Sequence, residues 1–363
     1  MSPVTKPVLE LWTTGAGVPG YAARAAARAE SEGWDGIGMV DSQNLVGDPY
    51  VELALAAQMT TTIRLGTAVT NPLTRHPAAT ATAIATVQAE SGGRALLGIG
   101  RGDSSLAHPG LAPAPVAVFR RYLERLQGYL RGEDVPFDVE GDGAGEVASS
   151  SSLGMAGGPA ASRIRWLPPG MAKVPVDVAA TGPQVIAAAA VLADRVTFAV
   201  GADPERIAWA VGVARNARTA AGLDPGALGL GAYLPVFPHP DREVARASIS
   251  GAVASFARFS VMHGSVIGPI DDRGRAVLEQ VHDAYDMDRH FTQGSPQSTP
   301  LTDEVIDAFA IAGPAGWCAE RLAALGELGL SKIVVMPAGR GLDRDAHRAA
   351  HRLLVDEVLP TLR

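Results

Sequence analysis

Ile63-Arg64-Leu65-Gly66-Thr67-Ala68-Val69 is a short, aliphatic and β-branched run, and the next periodic stretch opens on Pro77. A proline in the first turn of a helix gives up an N–H that the helix could not use. Beyond that helix lies Ala95-Leu96-Leu97-Gly98-Ile99-Gly100, a second apolar run. Strand, helix, strand in this order is one βαβ unit. Both strands are apolar at nearly every position rather than at alternate ones, so both faces are covered, as in a parallel sheet flanked by helices.

The same rhythm extends in both directions. Towards the N-terminus, 8–12 and 36–40 read as strands, followed by helices over 21–32 and 50–60, the first ended by Gly33 in the C-terminal glycine position. Towards the C-terminus, strands are predicted at 174–180, 195–200, 228–236 and 332–336, with helices over 183–193, 204–220, 243–261 and 345–358. Eight βα units is the number that closes a (β/α)8 TIM barrel. An open doubly wound sheet is the alternative. Two intervals break the rhythm and read as insertions after the fourth and seventh strands. The first, about 131–173, is rich in Gly, Ser and Ala, includes Ser149-Ser150-Ser151-Ser152, and suggests a loop with a hairpin around 163–167. The second, about 238–300, carries helical patterns at 244–259 and 275–285. It serves either the active face or an assembly contact. The expectation is a single domain over 1–363.

Composition bounds the function. With 47% hydrophobic and 19% charged residues the chain can bury a core, and disorder is excluded. A net charge of −7, from 31 Lys and Arg against 38 Asp and Glu, argues against a nucleic-acid partner. No run of 18 apolar residues suggests a membrane span, and the N-terminus lacks a signal-peptide core, so a cytoplasmic location is expected. One cysteine, Cys318, excludes an internal disulfide and a multi-cysteine metal site. With 41 Gly and 26 Pro, the chain is built for tight turns.

In such a barrel the reactive residues follow the C-terminal ends of the strands. That rule selects Thr13, Asp41-Ser42, Asn71, His76, Gly100-Arg101-Gly102-Asp103-Ser104 and Ala180-Thr181-Gly182. Two of these loops suit a phosphate. Thr181-Gly182-Pro183 opens a helix directly after a strand, offering the positive end of the helix dipole, although an ordinary N-cap is the plainer role for Thr181. Gly98-Ile99-Gly100-Arg101-Gly102 lets backbone approach closely and adds a guanidinium. It is not a dinucleotide fingerprint: the third glycine is misplaced and no acidic strand end follows at the required distance. A metal-dependent hydrolase would need more than Asp41, Asp103 and Asp203, and no metal site is expected. His347 and His351 are four apart in the final helix without an intervening glutamate, and read as surface residues.

From Gly66-Thr67-Ala68-Val69-Thr70-Asn71-Pro72-Leu73-Thr74-Arg75-His76-Pro77 through Ser91-Gly92-Gly93-Arg94 to Leu97-Gly98-Ile99-Gly100-Arg101-Gly102-Asp103-Ser104, the sequence resembles the bacterial luciferase-like oxidoreductases. Asp48-Pro49-Tyr50-Val51 and Ala179-Ala180-Thr181-Gly182-Pro183 are similar to the branch that contains methylenetetrahydromethanopterin reductase. The resemblance implies a barrel that binds FMN or the 8-hydroxy-5-deazaflavin coenzyme F-420 at its mouth. It implies a bulge in the third strand, with a non-proline cis peptide at Ala68-Val69, against the face of the ring. Thr13, Thr67, Ala68, Val69 and Asn71 would then touch the cofactor. Phosphate contacts would fall on Gly100 to Ser104 and on Ala180 to Gly182.

Catalytic places fall on Asp41 and Ser42, at the ring's reactive edge, and on His76. Many deazaflavin-dependent relatives carry a histidine after the aspartate of the second strand, where this chain has Ser42-Gln43, so that proton donor is missing. His76 is the nearest histidine, with a hydrogen bond inside its own loop as the plainer role. A deazaflavin enzyme would transfer hydride to or from a small organic substrate. An FMN enzyme would take reduced flavin from a partner reductase and use dioxygen. A non-catalytic ligand-binding barrel is the reading of another class, opposed by the intact polar strand ends. The substrate pocket is expected from 256–270 and 285–291, where Phe256, Phe259, Val261 and Met262 suggest an apolar ligand. A homodimer is expected by analogy.

Overall fold

Trp12 fills the interior of the sheet because its neighbours across the sheet lack side chains. A Cβ on Gly36 would lie 2.3 Å from the indole, and one on Gly66 3.2 Å from it. Gly36 pairs in register with Trp12 and Gly66 with Gly38, and so the two glycines fix where these strands meet. The computed structural model describes residues 9–137, 154 and 159–363; Val8, the Ser149 to Ser152 run and the extreme N-terminus lie outside them.

In chain order the strands are β1 (Glu10–Gly15), β2 (Gly36–Met39), β3 (Arg64–Thr67), β4 (Ala95–Ile99), β5 (Val135–Pro136), β6 (Ala161–Ser162), β7 (Val176–Ala180), β8 (Arg195–Phe198), β9 (Gly229–Pro238), β10 (Ile311–Gly313) and β11 (Lys332–Met336). The order β9-β11-β1-β2-β3-β4-β7-β8 is parallel throughout and closes through a β8–β9 pairing. The expected eight-stranded parallel barrel is the one observed, and the open sheet is excluded. Helices between the strands start as the sequence indicates. Pro49, Pro77, Pro183 and Pro204 occupy first helical turns, and the Asp48 and Asp203 carboxylates accept hydrogen bonds from first-turn amides.

Three expectations shift. The hairpin lies at β5 and β6, antiparallel, rather than at 163–167, because Ile164 is packed into the core while Trp166 is exposed. β3 ends at Thr67 instead of Val69; the Ala68-Val69 peptide is cis, and the chain rejoins the ladder through an isolated bridge from Thr70 to Ile99. β10, three residues long, has too few positions to show a period, yet it pairs with the far end of β9 and so lengthens that strand to Pro238.

The second insertion builds its own apolar core. Helices Arg242–Phe259, Asp272–Asp283 and Asp303–Phe309 pack Ile249, Val253, Leu278, Val305 and Phe309 together beside the barrel mouth. Arg206, 1% exposed, pins the insertion to the barrel. Its guanidinium donates to the carbonyls of Val200, Ile267 and Pro269 and to Ser260 Oγ.

Candidate active site

A cavity of about 1230 Å³ opens over the C-terminal ends of the strands, roofed by the second insertion. Its floor is the bulge after β3. Ala68 and Val69 border the cavity, and three glycines on neighbouring strands seat them. A Cβ on Gly38 would lie 2.5 Å from that of Ala68, one on Gly98 2.0 Å from the Thr67 carbonyl oxygen, and one on Gly100 3.3 Å from Val69 Cγ2. The glycines that resembled a phosphate loop therefore also make room for the bulge.

Asp41 borders the cavity although it is only 3% exposed. Thr70 Oγ1 donates to one carboxylate oxygen and Gln43 Nε2 to the other, each at 2.7 Å. Burial raises its pKa, against the pull of those donors and of Arg75. Ser42 lies beside it on the cavity wall. His76 takes the plainer of its two roles. It is exposed, stands outside the cavity lining, and its Nδ1 accepts the Ala78 N–H at the start of helix Pro77–Glu90.

The two loops that the sequence offers to a phosphate lie together on the cavity wall. Gly100, Arg101, Gly102, Asp103 and Ser104 all border the cavity, as do Thr181 and Gly182. Arg101 is half-buried, with its pKa lowered by burial and the charge of Asp103 opposing. Its guanidinium makes no hydrogen bond to a described residue. Thr181 is not the N-cap of helix Pro183–Leu192. Its hydroxyl donates to the Ala199 carbonyl at 3.2 Å, the cap position is Gly182, and no side chain covers the first turn.

Besides His76, four of the selected residues stand off the cavity. Thr67 donates its hydroxyl to the Gly98 carbonyl at 2.6 Å, bracing the bulge from behind. Asn71 Oδ1 accepts the amides of Leu73 and Thr74 and shapes the loop. Thr13 and Ala180 give way to Thr14 and Ala179 on the cavity wall. A single step along a strand turns the side chain to the other face, and the strand-end rule carries no parity.

The roof holds residues that the strand-end rule does not reach. Arg258, on helix Arg242–Phe259, forms an ion pair with Asp103 and lies 4.7 Å over the ring of Tyr285. The Tyr285 hydroxyl is 2.5 Å from His290 Nδ1 and donates to Ser255 Oγ, which also accepts the Phe291 N–H at 3.0 Å. Burial lowers the His290 pKa to about 4, with Asp103 opposing and Arg258 adding to the shift, so the imidazole is neutral at pH 7. Burial also pushes Tyr285 up to about 12. Phe256, Phe259, Met262, Phe291 and Met336 make the rest of this wall apolar, in the stretch expected to form the substrate pocket; Val261 is instead buried in the insertion's core.

The residues present fit a flat ring with a phosphorylated tail. The bulge and Gly100 leave a flat, apolar wall, and Gly182 lacks the side chain that would occupy the approach to the helix start. Arg101 is a cation whose hydrogen bonds are unspent. In the dry setting of a cavity an unpaired cation of this kind is suited to a phosphate.

Comparison with known proteins agrees with this geometry. The sequence profile of the luciferase-like monooxygenases matches residues 4–332. The chain is similar to the 5,10-methylenetetrahydromethanopterin reductase of Archaeoglobus fulgidus, 29% identical over 344 residues that cover 92% of this chain and 93% of the relative. It is similar to the enzyme of the same name from Methanolobus tindarius, 28% identical over 319 residues, 86% and 88% of the two chains. Among solved structures, the coenzyme F-420-dependent tetrahydromethanopterin reductase of Methanopyrus kandleri shares the fold, with a TM-score of 0.73, 24% identity and coverage of 99% and 100%. The oxygenating constituent of 3,6-diketocamphane monooxygenase from Pseudomonas putida, solved with FMN, shares it at a TM-score of 0.62 and 17% identity, over 98% and 99%. The chain belongs to the luciferase-like monooxygenase family.

Proposed function

We propose that this barrel is an oxidoreductase that holds coenzyme F-420 in its mouth and works on a small organic substrate under the roof of the second insertion. The coenzyme supplies or accepts the hydride. The chain's residues do the rest: Ala68, Val69 and Gly100 carry the face of the ring, and Arg101 with the open start of helix Pro183–Leu192 takes the phosphate. Asp41, fixed by Thr70 and Gln43, and Ser42 stand at the ring's edge. Phe256, Phe259 and Phe291 exclude water from the reacting atoms, so orientation and dryness are the protein's main contributions. The observation that carries the reading is Arg101, a half-buried cation without a hydrogen-bond partner, in a cavity that also contains an uncapped helix start. Similarity to the reductases over nearly the whole chain favours the deazaflavin over FMN.

Equilibrium titration of the purified protein with coenzyme F-420 and, separately, with FMN tests this. Tighter binding of the deazaflavin is the expected result. Tighter binding of FMN would move the assignment to a two-component monooxygenase supplied by a flavin reductase, and binding of neither would leave a non-catalytic barrel.

We also propose a homodimer through helix Pro49–Met59. Val51, Leu55 and Met59 are spaced at four and are each at least half exposed, a stripe that water alone covers poorly. Sedimentation equilibrium of the wild type and of Leu55→Glu reads this directly, with the variant expected to be monomeric. No described helix is long and apolar enough to cross a membrane. A cytoplasmic location suits a chain whose one cysteine is a buried thiol.

A further inference from the structure

The roof of the cavity has been given a shape but no partner. His290 lies in an insertion, belongs to none of the strand-end loops, and is not used by anything proposed so far. Its position is nevertheless over-determined. The segment that carries it is tied to the loop after β11 by the Arg340 amide donating to the Phe291 carbonyl at 2.6 Å and the Gln293 amide donating to the Arg340 carbonyl at 2.8 Å. The Arg340 side chain donates to the His290 carbonyl, also at 2.6 Å. Two glycines allow this path: a Cβ on Gly339 would lie 2.5 Å from the Phe291 oxygen, and one on Gly251 2.5 Å from the Thr292 carbonyl carbon. The ring is held as well, its Nδ1 against the Tyr285 hydroxyl, while Nε2 makes no hydrogen bond to a described residue and the side chain borders the cavity.

The charges around it are paired or stand at the rim. Arg258 is paired with Asp103, and Arg340, exposed, donates to the His290 carbonyl and keeps its charge. The other ionisable residues on the lining of this half, His108, His263 and Asp288, are exposed at the rim. What remains facing inward is a largely apolar wall with Tyr233 and, from the insertion, one neutral, oriented hydrogen-bonding nitrogen. A polar atom that opens onto an apolar cavity loses its water when a ligand fills the site, and a site built this way discriminates for a ligand that supplies a partner.

We propose that the substrate of this enzyme is uncharged and largely apolar, with a single polar group, a hydroxyl, that donates its hydrogen bond to His290 Nε2: the Tyr285 proton goes to Ser255 Oγ, so Nδ1 carries the imidazole proton and Nε2 accepts. The proposal rests on the coenzyme occupying the Arg101 half of the cavity. It assigns His290 to substrate recognition. Tyr285 and Ser255 are positioning residues that act through it.

Three probes of matched shape test this on the full-length protein saturated with coenzyme F-420: 1-phenylethanol, ethylbenzene and benzoate. Binding is followed by ligand-observed NMR, and the site by ring signals of ¹⁵N-labelled histidine, with His290 assigned through His290→Leu. 1-Phenylethanol is expected to bind at least fivefold tighter than ethylbenzene and tenfold tighter than benzoate, and to shift the His290 signal. In His290→Leu the preference over ethylbenzene should fall below twofold while coenzyme affinity stays within twofold. Tyr285→Phe, which keeps the packing and frees Nδ1, should lie between the two. Tighter binding of benzoate, an unmoved His290 signal, or a preference unchanged in His290→Leu would overturn the proposal. Failure of the coenzyme itself to bind the wild type would instead count against the functional assignment. Loss of coenzyme affinity confined to His290→Leu would place the histidine on the cofactor side and refute the substrate role.

Discussion

The two ends of the barrel interior treat buried polar groups in opposite ways. At the closed end the buried polar groups are paired with one another. Lys332 Nζ donates to Asp177 at 2.7 Å, Thr197 Oγ1 donates to the same carboxylate, and the ammonium lies 4.1 Å over the Trp12 ring. Burial lowers the Lys332 pKa, and the Asp177 charge opposes it. At the open end Arg101 and His290 are half-buried, and each keeps a donor or acceptor uncommitted. The closed end is stability and the open end is readiness for a ligand. That difference explains why a buried lysine at one end of the barrel and a half-buried arginine at the other do not share a role.

The largest test of the contrast is at the closed end. Asp177→Ala leaves a buried ammonium uncompensated and should cost about 3–5 kcal/mol of unfolding free energy. Urea denaturation checks it, and the coenzyme affinity of the folded fraction should be unchanged. A loss of coenzyme binding in proportion to stability would join the two ends into one unit and break the comparison.

Next comes the scaffold of the roof. Gly339→Ala places a methyl against the Phe291 carbonyl and should cost about 2–3 kcal/mol as the segment shifts. Turnover should fall more than coenzyme binding does, because the displaced segment carries His290 and leaves the Arg101 loops in place. Equal losses in both, measured by steady-state kinetics beside a binding titration, would contradict a division between substrate roof and coenzyme mouth.

A smaller effect is readable from pH. His290 titrates near 4 when folded and near 6.5 when unfolded, so the unfolded chain takes up its proton first as the pH falls. The destabilisation is absent above about pH 6.5 and grows down to about pH 4. It should reach about 2 kcal/mol by pH 5. His290→Leu should flatten the stability profile across that window relative to the wild type. Parallel profiles would mean that the imidazole is solvated in the folded protein.

The two ends also differed in how far the sequence could be read. The barrel was legible because each strand is a local apolar run and each helix start carries its own proline or aspartate. Gly36 and Gly66 were visible as glycines, but their reason, the Trp12 ring, comes from another strand. Asp41, Arg101 and Gly182 were reachable because a strand end is a local landmark. Thr13 and Ala180 missed the cavity by one position, since parity depends on how the sheet coils. His290 was out of reach for a different reason. Its place is fixed by Gly251 and Gly339, one about forty residues before it and the other about fifty after, and only the closed fold brings them together.

The account stands on Arg101 as the group kept open for a phosphate. Its most direct test is the affinity of the wild type and of Arg101→Ala for FMN and riboflavin, or for the phosphorylated and dephosphorylated deazaflavin, measured by fluorescence titration. Removing the phosphate should cost the wild type at least tenfold, about 1.4 kcal/mol, and the variant less than threefold. An equal loss in both proteins would contradict it and leave the Arg101 cation without a ligand.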